Sequence, residues 1–94
     1  MPSNYLLVQN YPNPFNPTTT IKYNIPRVAH VQLVIYDMLG RQVSQLINER
    51  QSAGQHHVSW DSKDKFGNPV AAGLYFCRME AEGFTDVIKL ALVK

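Results

Sequence analysis

The residues whose types suit chemistry are few, and their spacing decides what each can do. His56 and His57 are adjacent in the alternating stretch Gln55 to Trp60, and His30 stands apart. Neighbours in a strand point to opposite faces, so the two adjacent rings do not share one metal ion. Cys77 is the single cysteine, which excludes an intrachain disulfide. It lies mid-strand among apolar residues and reads as a small buried hydrophobe, a poor setting for a nucleophile. Ser3, Ser44, Ser52, Ser59 and Ser62 lack a Gly-x-Ser-x-Gly elbow, the seven carboxylates are spread along the chain, and no glycine-rich phosphate loop occurs. Oxygen ligands concentrate only in Asp61-Ser62-Lys63-Asp64-Lys65-Phe66-Gly67-Asn68, where Asp61, Asp64 and Asn68 form a calcium candidate. Its spacing is not that of an EF-hand, and Lys63 and Lys65 repel a cation. A polar turn in which Asp61 and Asp64 accept backbone hydrogen bonds accounts for the same residues. The expectation is a chain that is not an enzyme and uses no cofactor.

The elements that would position these residues read as strands. Ile21, Tyr23 and Ile25 alternate with Lys22 and Asn24, and Val31, Leu33 and Ile35 alternate with Gln32, Val34 and Tyr36, the period of a strand with one face in a core. Leu74 to Ala81 is rich in aromatic residues, and Val87 to Val93 is nearly continuous in aliphatic ones. Turn signals separate the runs: the proline-rich Asn10 to Pro17, Asp37-Met38-Leu39-Gly40, Ala53-Gly54, Phe66-Gly67-Asn68-Pro69 and Glu82-Gly83. Strands are expected at roughly 5–9, 18–25, 30–37, 41–47, 55–60, 72–81 and 85–93, with 42–51 divided between strand and loop. The fold class is therefore all-β, a seven-stranded immunoglobulin-like or fibronectin-like antiparallel β-sandwich. Trp60, Ile35, Leu33, Tyr75 and Leu90 are its expected core. Tyr5, Leu6, Leu7, Val8, Val34 and Tyr36 are expected at the surface, and no internal repeat is evident.

Composition bounds the partners. The chain has 94 residues, enough for one domain with a modest core, and it is 45% hydrophobic and 17% charged. A net charge of +2 without a basic run gives no nucleic-acid footprint. No segment approaches the roughly 20 apolar residues of a transmembrane helix. Residues 1–4 have no signal-peptide pattern and are expected to be a leader or the remnant of an added start codon, with the domain running from 5 to 94. The closing strand is apolar on both faces. It is expected to be central in its sheet or presented to a partner, and a strand-swapped homodimer is one outcome.

Four stretches, in order, resemble the type A C-terminal sorting domains of type IX secretion. Tyr11-Pro12-Asn13-Pro14-Phe15-Asn16-Pro17-Thr18-Thr19-Thr20-Ile21 resembles their opening motif, and Val34 to Val43 their central one. Ala72-Gly73-Leu74-Tyr75-Phe76 is similar to their Gly-x-Tyr motif, and Lys89-Leu90-Ala91-Leu92-Val93-Lys94 to their closing motif. The resemblance implies an immunoglobulin-like domain joined to an N-terminal cargo, recognised by an outer-membrane translocon and removed by a sortase. The cargo would pass through the periplasm to the cell surface or the medium of a Bacteroidetes-like bacterium. Recognition would fall on Asp37, Gly40, Arg41, Gly73, Tyr75, Lys89, Leu92, Val93 and Lys94, with Arg41 as a donor fork for a receptor oxygen. Tyr36 to Arg41 and Trp60 to Asp64 with Gly67 also resemble the immunoglobulin-like domain of flagellar hook-capping proteins, which implies a structural assembly module. A carbohydrate-binding accessory module is a third alternative. Its aromatic candidates, Tyr11, Phe15 and Phe66, are dispersed in loops.

Overall fold

Seven strands build two antiparallel sheets in this computed structural model, which describes residues 4–94. Of the four residues assigned to a leader, Met1, Pro2 and Ser3 lie outside the described residues. The strands are β1 (Leu6–Leu7), β2 (Thr19–Ile25), β3 (Ala29–Tyr36), β4 (Gln42–Gln51), β5 (Gly54–Trp60), β6 (Gly73–Ala81) and β7 (Phe84–Leu92). One sheet has the order β1-β2-β5 and the other β4-β3-β6-β7.

The alternation seen in the sequence becomes the core. Ile21, Tyr23 and Ile25 of β2 and Trp60 of β5 face Val31, Leu33 and Ile35 of β3, Tyr75, Cys77 and Met79 of β6, and Ile88, Leu90 and Leu92 of β7. All five expected core residues are buried. Burying each such side chain contributes roughly 1.5–3 kcal/mol, so the sandwich holds by the summed inner faces of its strands.

Four expectations need correction. β4 runs unbroken to Gln51, where a strand ending near residue 47 was expected. Its polar second half faces solvent but pairs with β3 through His30↔Arg50 and Ala29↔Gln51, so the partner's register sustains a segment whose own propensity is weak. Leu7 is buried, because β1 pairs with β2 and turns this side chain inward. Val34 is also buried, although it lies on the outer face of the larger sheet, in register with Gln45 and Arg78. The closing strand, β7, is not central: it is the edge of the four-stranded sheet.

That edge is covered from within the chain. The proline-rich segment between β1 and β2 lies along it. Phe15 N donates to Ala91 O at 2.9 Å, and Val93 N donates to Phe15 O at 3.0 Å. Ala91 N donates to Asn13 Oδ1 at 2.9 Å, and Gln9 Nε2 donates to Lys89 O at 2.7 Å. Nearer the start of β7, the Asp86 carboxylate accepts the Val87 amide at 2.9 Å. Several backbone groups that would otherwise template another strand are thus occupied.

Candidate functional site

Two five-residue turns stand side by side at one end of the sandwich. The first, Asp37-Met38-Leu39-Gly40-Arg41, joins β3 to β4. Asp37 Oδ1 accepts the amides of Leu39 and Arg41, both at 2.9 Å. Asp37 N donates to Arg41 O at 3.0 Å, and Gly40 N donates to Asp37 O at 3.0 Å. Gly40 has φ +81°, a conformation that side-chain-bearing residues rarely adopt. The second, Asp64-Lys65-Phe66-Gly67-Asn68, lies between β5 and β6 and repeats this geometry. Asp64 Oδ1 accepts the amides of Phe66 and Asn68 at 2.9 Å each. Asp64 N donates to Asn68 O at 2.8 Å, Gly67 N donates to Asp64 O at 3.0 Å, and Gly67 has φ +84°. The two turns share the pattern Asp-x-apolar-Gly-x, set in unlike sequence surroundings.

Each turn holds its middle apolar side chain out in solvent: Leu39 is 77% exposed and Phe66 76%. A cleft of about 290 Å³ runs between the turns, walled by Asp37, Arg41, Asp64 and Phe66 and floored by Val43, Val70 and Tyr75. The turns are tied together by the Lys65 amide, which donates to Val43 O at 2.9 Å.

Charge in the site is arranged unevenly. Asp37 Oδ2 accepts from Arg41 Nε at 2.8 Å. The Asp37 carboxyl is held below the usual carboxylate range, first by the Arg41 amide and then, against partial desolvation, by the Arg41 side chain and the Leu39 amide. Arg41 is nonetheless 73% exposed, and its Nη donors have no partner among the described residues. Lys65 Nζ lies 5.4 Å from the Phe66 ring centroid, a cation–π contact.

The residues singled out in the sequence divide into three groups. Asp37, Gly40, Arg41, Gly73 and Tyr75 come together: Asp37, Leu39 and Arg41 share a second depression with Gly73, Leu74 and Tyr75. Gly73 has φ +147° and open space where a Cβ would stand, so backbone conformation, and not close approach, requires glycine there. Val93 and Lys94 flank the site: Val93 binds Phe15, and Lys94 Nζ donates to Val70 O at 2.7 Å. Lys89 lies further along β7, opposite Phe76. Tyr75 and Leu92 are buried, so they support this surface from beneath. The Tyr75 hydroxyl donates to Ala71 O at 2.6 Å, and its pKa is raised by burial and then by the charge of Asp37.

Oxygens of the calcium candidate are partly engaged elsewhere. Asp64 turns its Oδ1 to its own backbone, Asp61 Oδ2 lies 4.0 Å from Lys63 Nζ, and Asn68 takes part through its amide and carbonyl. Among the described residues, no group of three His, Cys, Asp or Glu side chains is placed to hold a metal ion. His56 instead stacks on Tyr23, with centroids 5.4 Å apart, and its Nε2 donates to Ser52 O at 2.8 Å. Cys77 is buried, and burial pushes its thiol pKa up to about 12. Phe15 is buried as well, 5.8 Å from Trp60, which takes it out of any exposed aromatic row with Tyr11 and Phe66.

Comparison with known proteins places the fold. The family model of the FlgD Ig-like domain matches residues 15–83. Among solved structures, FlgD from P. aeruginosa superposes with a TM-score of 0.59 at 27% identity, over 79% of this chain and 60% of that one. PorZ, an essential surface component of the type-IX secretion system of Porphyromonas gingivalis, gives 0.63 at 22% identity, over 97% of this chain and 12% of that one. Dimeric latent PorU from Porphyromonas gingivalis gives 0.69 at 24% identity, over 98% of this chain and 10% of that one. The chain thus spans about three fifths of the FlgD structure and about a tenth of the other two. No curated protein matches it.

Proposed function

This chain belongs to the FlgD Ig-like domain family, and we propose that within it the chain is a non-catalytic secretion label, read by an outer-membrane type IX translocon that exports the cargo joined to it. One observation carries the reading. The opening and closing motifs, far apart in sequence, are bound to each other through Asn13, Phe15, Ala91 and Val93, and the central turn shares a depression with the Gly-x-Tyr segment at the same end. Four separate stretches thereby become one surface, as a label read by a receptor needs. Recognition is assigned to its exposed part: Asp37, Gly40, Arg41, Gly73, Lys89, Val93 and Lys94. The closing strand is read as part of a folded end and not as a loose peptide.

A structural assembly module of the hook-capping type is the second reading, supported by the family match and by the 27% identity to FlgD. Export separates the two. A signal peptide and a fluorescent protein are fused ahead of the 94-residue chain in a host with type IX secretion. Removing residues 89–94 would be a poor control, because it deletes the buried Leu90 and Leu92 and unfolds the domain. Arg41→Gln and Lys94→Gln leave the core intact. The label reading expects the parent fusion at the surface or in the medium and the double variant held in the periplasm. A parent fusion that stays in the periplasm of a host exporting its own substrates would favour the assembly module.

A further inference from the structure

We propose that the cleft between the two turns is a docking site for an extended acidic segment of a partner protein, in which a carboxylate neighbours an apolar side chain. Charge complementarity argues for this occupant. Both turns begin with an aspartate, yet three of the four carboxylate oxygens are engaged inside the turns. Asp37 gives Oδ1 to two backbone amides and Oδ2 to Arg41 Nε, and Asp64 gives Oδ1 to two amides. The cations face outward: Arg41 keeps its Nη donors free among the described residues, and Lys65 reaches over Phe66. A guanidinium fixed at Nε presents a preorganised fork to a carboxylate, and less entropy is lost on binding than for a free side chain.

The apolar component has its own place. Leu39 and Phe66 are mostly exposed, although their turns are pinned by four hydrogen bonds apiece. Phe66 stands at the wall of the cleft over an apolar floor of Val43, Val70 and Tyr75, and Leu39 borders the neighbouring depression. An exposed ring carried on a pinned turn above such a floor is suited to packing against one apolar side chain, at lower ordering cost than a mobile loop would incur. The site shares Asp37 and Arg41 with the surface assigned to export and adds the Asp64 turn, so peptide binding lost in Phe66→Ala with export retained separates the two readings.

The test is an NMR titration of the ¹⁵N-labelled 94-residue chain. The probe is a pentapeptide capped at both ends, Asp-Phe-Asp-Leu-Asp, against its counterpart with Asn at each Asp. The expected result is shifts confined to the amides of residues 37–43 and 64–70, with the acidic peptide binding about fivefold tighter, the scale of one or two half-exposed ion pairs. Phe66→Ala should abolish binding of the acidic peptide while the spectrum of the core stays unchanged. Arg41→Gln should remove the preference for Asp over Asn. Equal binding of the two peptides, or shifts elsewhere on the molecule, overturns the proposal. So does a response of the same amides to dextran sulfate with none to the peptide, which would make the site one for polyanionic glycans.

Discussion

A single carboxylate organises each turn, and Asp37 shows what this means for pH. Hydrogen bonds from the Arg41 amide, and then the Arg41 side chain and Leu39 amide, stabilise the charged form, so its folded pKa lies below the unfolded one. Its contribution to stability is therefore complete above the ordinary aspartate value of about 4 and is lost as pH falls through the depressed folded value. In an NMR pH titration the Leu39 and Arg41 amides should shift with a midpoint below about 4, and Asp37→Asn should remove that transition. A midpoint at or above that value would mean that the carboxylate is not held as described. Both turns were marked in the sequence as separate turn signals, and their common Asp-x-apolar-Gly-x pattern emerges from the matching hydrogen bonds. What was not legible is that its two copies face one cleft, because that depends on how β4 and the loop after β5 are joined through Lys65 and Val43.

At the scale of elements, the strands were readable wherever one face is buried. The inward sets Ile21, Tyr23, Ile25 and Val31, Leu33, Ile35 alternate cleanly, and their strands fall within a residue or so of expectation. The second half of β4 was missed because an edge strand can be polar on both faces when its partner fixes the register. The cover over β7 was also invisible, since Asn13 and Ala91 meet across 78 positions of sequence and no local pattern encodes that contact. Asn13→Ala tests the cover directly. It removes the acceptor of the Ala91 amide, so hydrogen exchange at Ala91 should quicken well beyond that at Leu90, with a stability loss of about 1 kcal/mol. Unchanged exchange at Ala91 would show that the proline-rich segment only lies near the edge.

For the whole molecule, Phe15 joins the two layers. Its ring packs against Trp60 of the smaller sheet, and its backbone is hydrogen-bonded to β7 of the larger one. Phe15→Ala should cost about 3–5 kcal/mol, a large share of the roughly 5–15 kcal/mol that keeps a domain folded, and should move the urea midpoint accordingly. A loss under about 1 kcal/mol would assign the joining of the layers to the core strands alone. The same loop also sets an order in time. A ribosome or a membrane channel delivers the chain from one end, and Asn13 emerges 78 residues ahead of the amide it caps. Until β7 arrives, the larger sheet lacks its edge and the early loop has nothing to lie against. The contact between this loop and the edge of the larger sheet consequently forms only when the final strand has come through.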